Sequence, residues 1–425
     1  MSKNTPSSPL PIILRGHISE VTAVQFYKHA PSETSRLLLF SGDLKGHLNI
    51  FSMETRRVKH SFQKYHQHSI LGFYQPKEDQ HVLFSQGREG CIKRLDLNHL
   101  STTGGGSCSN NDDTQNNNHG QSWNFNSIFS FCKFTPFLYH NNAMSFFVPS
   151  EKDHTLLIDC RMSADDCSKF SIAPPTQVYD KPFGMLTSMM CIENSSYLLC
   201  AYEAGIIVEF DVRKLSSNFS SSTMTSDNNE YIQVRSIYDV NTPHEPTICM
   251  NYQSVLDEIL IGTAGNSMSV LARRPRHGID IKEEANLDGT CKIKHSFSMT
   301  SAGINDICCM NEQQSYGLDG IANGNNKDEK KCSSLMSRLA FAGCWDGNIR
   351  VFDLRKKKKL AVYKYHEESI RSLDCIEHSS GSSFDFNQGS NEVNSHSCNR
   401  NNILLAAGSK DSKISIWNVD FEVKK

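Results

Sequence analysis

The seventeen histidines and fifteen cysteines are the residues best equipped for metal or nucleophile chemistry in this chain. His66 and His68 stand two apart, as do His396 and Cys398. The histidine–cysteine pair sits in a low-complexity stretch, and His66 has a structural use described below, so both read as loop or framework residues rather than metal ligands. The cysteines, among them Cys91, Cys132, Cys160, Cys200 and Cys249, form no C-x-x-C pair and no zinc-finger spacing. Their odd number and a polar N-terminus, MSKNTPSSPLP, without the apolar core of a signal peptide, fit reduced thiols in the cytosol or nucleus. Asp112-Asp113 and Asp165-Asp166 read as solvated turns rather than acid–base couples. The glycine-rich Gly317–Gly324 lies in a polar stretch, not between a strand and a helix, which is the wrong context for a phosphate cradle. No P-loop, nucleophile elbow or H-E-x-x-H pair occurs. With no nucleophile, base and orienting group to assemble, the sequence predicts no enzyme, no cofactor and no metal site.

What the sequence does repeat is a strand–turn–strand unit. It reads VTAVQFYK, LLLFSGDLKGHLNIFSM and RRVKHSF near the start, and INDICCMNEQ followed by SRLAFAGCWDGNIRVFDLRK near the end. Seven such units can be traced, the third of them faint in NNAMSFFVPSEKDHTLLIDCR. Apolar runs of this length bounded by Gly, Asp, Asn and Lys are strands, not helices. The turns fall at one offset: Lys45-Gly46, Glu89-Gly90, Ala204-Gly205, Asp346-Gly347 and Asp411-Ser412. Asp-Gly is a strong tight-hairpin signal, because both residues tolerate positive φ. Five residues beyond each turn stands a large apolar residue: Phe51, Leu95, Phe210, Phe352 or Trp417.

Polar insertions stretch the repeat at about residues 101–122, 216–230, 315–334 and 377–402, and their Asn, Ser, Gly and Asp cannot build a core. Beneath them lies a period of about 40–45 residues, the length of a four-stranded propeller blade. The last unit ends one strand short at KISIWNV, while PIILRGH precedes the first. The expected fold is therefore all-β: one seven-bladed propeller over residues 12–419, closed by Ile12–Arg15 on the last blade. Residues 1–11 and 420–425 are read as a flexible N-terminus and a tail.

Gly16-His17, Asp346-Gly347, Phe352-Asp353, Asp411 and Trp417-Asn418 resemble the WD40 repeat family. The resemblance implies a histidine before a blade, an aspartate in its hairpin and a tryptophan on its third strand, hydrogen-bonded in series. Only the last unit keeps all three, as His366, Asp411 and Trp417. The first has His17, Ser41 and Phe51, but Lys45 where aspartate is expected; the second has His66 and Glu89 with Leu95 for tryptophan. The sixth keeps Asp346 but has no histidine at the matching place, near Thr300. Each lost neutral link would remove roughly 1 kcal/mol, which stacked blades tolerate.

More narrowly, LRGHISEVTAVQF, HVLFSQGREGCIKRLDL and LLAAGSKDSKISIWNV are similar to the ASTRA-associated WD-repeat subunits of fungi and their G-protein β-subunit-like animal relatives. That similarity implies a scaffold subunit, monomeric within a nuclear hetero-complex linked to chromatin regulation and to maturation of phosphatidylinositol-3-kinase-like kinases. Its implied partners are helical-repeat cochaperone subunits and those large kinases. A cullin-ligase substrate receptor is the alternative, kept open by Asp211-x-Arg213 and Asp353-x-Arg355. A Gβ-like adaptor would want an N-terminal helix that residues 1–11 are too short and proline-rich to form.

Net charge is −2, which argues against a surface dedicated to nucleic acid, and no run approaches the roughly eighteen apolar residues of a membrane span. Function is then expected on a rim of loops and hairpins. The residue just before each hairpin turn should face that rim: Leu44, Arg88, Glu203, Ala264, Trp345 and Lys410. Trp345 is the natural interface anchor among them, since aromatic and arginine side chains dominate interface energies. Arg355, Lys356, Lys357, Lys358 and Lys359 fall at another hairpin, where charge keeps a sheet edge soluble. They are also a candidate site for an acidic partner or for nuclear import.

Overall fold

Five hairpins between the second and third strands of a unit turn on a residue of positive φ: Gly46 (77°), Gly90 (80°), Gly205 (76°), Gly347 (75°) and Ser412 (65°). At Gly46 and Gly347 glycine is required twice over. A β-carbon there would approach the carbonyl oxygens of His66 and His366 to 2.1 and 2.3 Å. These two hairpins therefore lie against the loop that leads into the next unit, which ties blade one to blade two and blade six to blade seven.

The computed structural model describes residues 10–27, 37–76, 79–98, 100, 121–125, 130–139, 143–150, 153–161, 168–176, 182–192, 196–218, 232–240, 245–273, 293–299, 303–310, 338–379 and 401–419. These form seven four-stranded antiparallel sheets, a seven-bladed β-propeller. Blade one is β2 (Val21–Tyr27), β3 (Leu38–Asp43), β4 (Leu48–Ser52) and β5 (Arg57–Phe62); we call these positions a to d. Blade two is β6 (Ile70–Tyr74), β7 (Val82–Gly87), β8 (Cys91–Asp96) and β9 (Ser122–Asn124). Blade three is β10 (Thr135–Tyr139), β11 (Ala143–Pro149), β12 (Thr155–Asp159) and β13 (Ser168–Ile172). Blade four is β14 (Leu186–Ile192), β15 (Tyr197–Tyr202), β16 (Ile206–Asp211) and β17 (Gln233–Asp239), with a short helix α1 (Arg213–Asn218) after β16. Blade five is β18 (Thr247–Gln253), β19 (Glu258–Thr263), β20 (Ser267–Ala272) and β21 (Ile293–Ser298). Blade six is β22 (Ile304–Cys309), β23 (Leu339–Cys344), β24 (Asn348–Asp353) and β25 (Lys358–Lys364).

Blade seven takes three strands from the end of the chain, β26 (Ile370–Ser379), β27 (Asn401–Ser409) and β28 (Ile414–Val419), and its outer strand from the beginning. That strand, β1 (Ile12–Leu14), pairs Ile12 with Ile416, Ile13 with Ser415 and Leu14 with Ile414. The ring thus closes through the expected N-terminal strand. Blade seven meets blade one closely: a β-carbon on Gly408 would come within 2.6 Å of Val21.

Five strands were not legible as part of the repeat: the outer strands of blades three, four and five, Ser168–Ile172, Gln233–Asp239 and Ile293–Ser298, and two more. The outer strand of blade two, Ser122–Asn124, follows an insertion, and the inner strand of blade three, Thr135–Tyr139, precedes the faint third unit. The insertions lie mostly outside the described residues, as do Gly317–Gly324, Thr300, His396, Cys398, Asp112, Asp113, Asp165 and Asp166. At their margins the chain is ordered into strand: β26 continues to Ser379 and β27 begins at Asn401.

The large residues five beyond the hairpin turns, Phe51, Leu95, Phe210, Phe352 and Trp417, are all buried between blades. Side chains of the inner strands and of neighbouring hairpins stitch adjacent blades. Asp374 accepts the Phe26 N–H, Asp306 the Leu373 N–H, and Thr135 Oγ1 the Cys191 N–H. Lys133, just before the inner strand of blade three, reaches Asp306 of blade six at 2.8 Å and so ties non-adjacent blades. Such side-chain bonds satisfy inner-strand backbone groups that have no neighbouring strand on that side.

Candidate functional site

Strand a starts, hairpin b–c turns and strand d ends on the same rim of every blade. The histidines stand on that rim. In blade seven His366 Nδ1 lies 2.9 Å from Asp411 and Nε2 lies 2.8 Å from Ser415 Oγ, which also accepts the Trp417 indole N–H at 2.9 Å. The directions settle the tautomer: the indole donates to Ser415, Ser415 donates to Nε2, and Nδ1–H donates to the carboxylate. Trp417 is further held by stacking on Tyr363, centroids 4.7 Å apart.

Other blades reach the same end with different residues. In blade one His17 Nε2 meets Ser41 at 2.7 Å, and the carboxylate that the pattern wants at position 45 comes from Asp43 instead. Asp43 contacts His17 Nδ1 at 3.2 Å and His47 Nδ1 at 3.1 Å, and accepts the N–H groups of Lys45 and His47. The link that Lys45 seemed to delete is therefore present, moved by two residues. In blade two Glu89 and Ser85 flank His66 at 2.6 and 2.8 Å. In blade six, where no histidine was found, Arg350 grips Asp346 with two hydrogen bonds of 2.9 and 2.7 Å. In blade five the acid moves to the loop: Glu245 accepts from Thr263 at 2.9 Å. Its carboxylate fills the space where a β-carbon on Gly265 would be. Blade four replaces polarity with an edge-on contact of Phe183 and Tyr202.

The electrostatics follow from burial and partner. Burial pushes the Asp43 carboxyl up, but hydrogen bonds from His17 and the His47 backbone prevail and hold it at about 2. Burial lowers His66 and His366 below the ordinary imidazole value, more than Glu89 and Asp411 raise them. Burial raises those two acids, and their histidine bonds outweigh it, so both are lowered. The His66–Glu89 and His366–Asp411 relays thus pair a neutral imidazole with an ionised acid.

His66, Glu89 and Cys91 bring one possible metal donor each within 4.8 Å of the others. Both His66 nitrogens are engaged, Nδ1 by Glu89 and Nε2 by Ser85, the Cys91 thiol turns to the Ile92 carbonyl, and Lys93 opposes a second cation there, so His66 and Glu89 serve a hydrogen-bond relay. A second charged cluster was not read from the sequence. Buried Glu209 accepts from Arg235 at 2.8 Å, Tyr238 at 2.7 Å and Arg273 at 2.6 Å, joining blades four and five. All its partners are structural, and Arg273 and Arg235 also cover the Tyr197 ring.

The six residues expected on the rim share one backbone bond. Leu44 donates its N–H to Glu20, Arg88 to Ser69, Glu203 to Met185, Ala264 to Pro246, Trp345 to Gly303 and Lys410 to Ser369, at 2.8–3.1 Å. Each acceptor immediately precedes the inner strand of the same blade. This bond pins the hairpin backbone down, leaving the side chain on the rim. Trp345 rests on Gly303 and donates its indole N–H to Asn305 at 2.7 Å, yet keeps 43% exposure. Leu44 is also exposed, and Lys410 lies 3.7 Å from Glu368. Glu203 is exposed beside the Met185 N–H. Arg88 stacks at 4.0 Å on Phe131, which is 69% exposed.

Phe131, Ile18 and Met185 were missed in the sequence. All three are exposed apolar residues in loops that lead into inner strands. Their signal was available: a large apolar residue in a short polar loop, as in Gly16-His17-Ile18-Ser19. On the opposite rim, Arg355 to Lys359 occupy the c–d hairpin of blade six, and all five are exposed. Arg213, on that rim too, is paired back onto Asp211.

The model of the WD domain, G-beta repeat, matches residues 357–418. Over 97% of its length the chain is 24% identical to mouse guanine nucleotide-binding protein subunit beta-like protein 1, of which 97% is covered. It is 22% identical to ASTRA-associated protein 1 of Schizosaccharomyces japonicus, over 96% of this chain and 98% of that protein. The solved β-propeller domain of Cps50 (Swd1) from Myceliophteria thermophila shares the fold, with a TM-score of 0.60 at 12% identity, covering 96% of this chain and 99% of that one. The chain is a seven-bladed β-propeller that carries a WD-repeat match in its last third and is similar at low identity to the ASTRA-associated and Gβ-like proteins.

Proposed function

We propose that this chain is a non-catalytic docking subunit of a nuclear assembly of the ASTRA kind, acting in chromatin regulation and in maturation of phosphatidylinositol-3-kinase-like kinases. The observation that carries the docking role is the placement of exposed apolar side chains. Ile18, Leu44, Phe131, Met185 and Trp345 all stand on the rim of inner-strand loops and b–c hairpins. Exposed apolar groups on a framework whose backbone is pinned blade by blade suit protein recognition. The names of the fungal relatives, matched over 98% of their length, support the assembly. Its partners are helical-repeat cochaperone subunits and the large kinases, and it joins them as a monomer in the nucleus. It binds neither nucleic acid nor membrane directly; among the described residues no helix is long and apolar enough to cross a bilayer.

The ligase-receptor alternative draws on Asp211-x-Arg213 and Asp353-x-Arg355. Arg213 is tied to Asp211, and Asp353 is fully buried, so neither motif is presented as a free recognition pair. Affinity capture of the native chain from nuclear extract, read by mass spectrometry, tests the proposal. Helical-repeat cochaperones and giant kinases should be recovered, and Trp345→Ala with Ile18→Ser should deplete them. Recovery of cullin adaptors instead would overturn it.

A further inference from the structure

Arg355 to Lys359 are not used by the docking rim, which lies at the other end of the blades. Their backbone is not free to be read as an extended peptide. Leu354 donates its N–H to Arg338 at 3.0 Å, Lys356 donates to Asp353 Oδ1 at 2.8 Å, and Lys357 turns the chain at φ 52°. Lys358 and Lys359 are already paired with Asp353 and Phe352 in the β24–β25 ladder. The side chains, by contrast, are all exposed. Among the described residues the carboxylate within ion-pair reach of the run is Asp353, buried and 3.8 Å from Lys356. Five cations on one rigid turn, opposed by one buried acid, form a local positive patch on a chain of net charge −2.

We infer that this hairpin is a second docking site, for an acidic, Asp/Glu-rich segment of a protein partner. A nucleic acid would want a longer basic track with exposed aromatic rings to stack bases, and the neighbouring exposed apolar residue here is Leu360. A segment recognised along a free backbone is excluded by the ladder. The patch matches acidic side chains in charge and is rooted on a backbone already held by the ladder, which limits the backbone entropy lost on binding. The inference builds on the scaffold reading, and makes the propeller an adaptor with one site on each rim.

The test uses the folded full chain, a labelled poly-glutamate peptide and poly-uridine RNA as the competing probe, by fluorescence anisotropy at low salt. The variant Arg355→Gln/Lys358→Gln/Lys359→Gln spares Lys356, which faces the buried Asp353. Poly-glutamate should bind, weaken as salt rises, and lose about tenfold or more in affinity in the variant, a change of roughly 1.4 kcal/mol. Trp345→Ala should leave that binding unchanged, so loss of partner capture on the first rim and loss of peptide binding on the second are read separately. The variant's melting temperature should match that of the parent chain. Failure of poly-glutamate to bind, equal binding by the variant, or tighter binding of poly-uridine would overturn the inference.

Discussion

Ala407 lies directly across the β27–β28 ladder from Ser415, and the Ser415 hydroxyl joins His366 to Trp417. In blade one the hydroxyl is on the other strand: Ser41 meets His17, and its ladder partner is Asn49. Ser41 and Ala407 each precede the b-strand glycine, Gly42 or Gly408. The relay therefore needs a hydroxyl at one point in space, and either strand of the hairpin can supply it.

Ser415→Ala should leave a buried indole N–H and an imidazole nitrogen without partners, at a cost of about 1–3 kcal/mol. Adding Ala407→Ser should recover a good part of it, because the new hydroxyl starts from the opposite ladder position. Thermal melts of the single and double variants measure this. A double variant no more stable than Ser415→Ala would mean that the two positions are not interchangeable.

Blade one makes a ranking that the repeat pattern alone would invert. Asp43→Ala strips an acceptor from two histidines and two backbone N–H groups, and should cost about 2–4 kcal/mol. Exposed Lys45→Ala, at the patterned position, should change stability by less than about 0.5 kcal/mol. Urea titrations of both variants decide the order.

Those two cases explain what could be read in the sequence. The hairpin glycines and the buried residues five beyond them are fixed by backbone geometry and by the width of a blade, so position alone reveals them. The relays are fixed by where a functional group ends up, not by which residue carries it. Asp43 for position 45, Arg350 for a missing histidine and Glu245 for a hairpin acid are thus invisible to a pattern of positions. The strands Ser122–Asn124 and Thr135–Tyr139 escaped for a different reason: one is only three residues long after an insertion, and the other carries a proline, Pro136.

Acid should weaken the ring in two stages. His66 and His366 titrate lower in the fold than in the unfolded chain, so between those lowered values and the ordinary 6.5 the unfolded chain binds more protons. Their contribution is complete above 6.5 and is lost as pH falls below it. Asp43, Glu89 and Asp411 are also lowered, so a second loss follows as pH falls below about 4 towards their folded values. Melting temperature against pH should fall in both windows, and His366→Gln should flatten the first. A melting temperature rising from neutral pH to about 5 would contradict the assigned neutral imidazoles.

Removal of residues 1–15 deletes β1, uncovers the β28 edge and loses the burial of Leu14. The loss should be about 3 kcal/mol or more from apolar burial and ladder bonds together, with a tendency to associate through the bared strand. Calorimetry and light scattering test it. An unchanged melt would show that the ring does not depend on its N-terminal clasp.

Hydrogen–deuterium exchange on the complex recovered by the native chain tests the docking account most directly. Slowed exchange is expected in the loops and hairpins carrying Ile18, Leu44, Phe131, Met185 and Trp345 when the proposed protein partner is bound. Protection confined to the outer strands, with that rim exchanging as in the free chain, would contradict it.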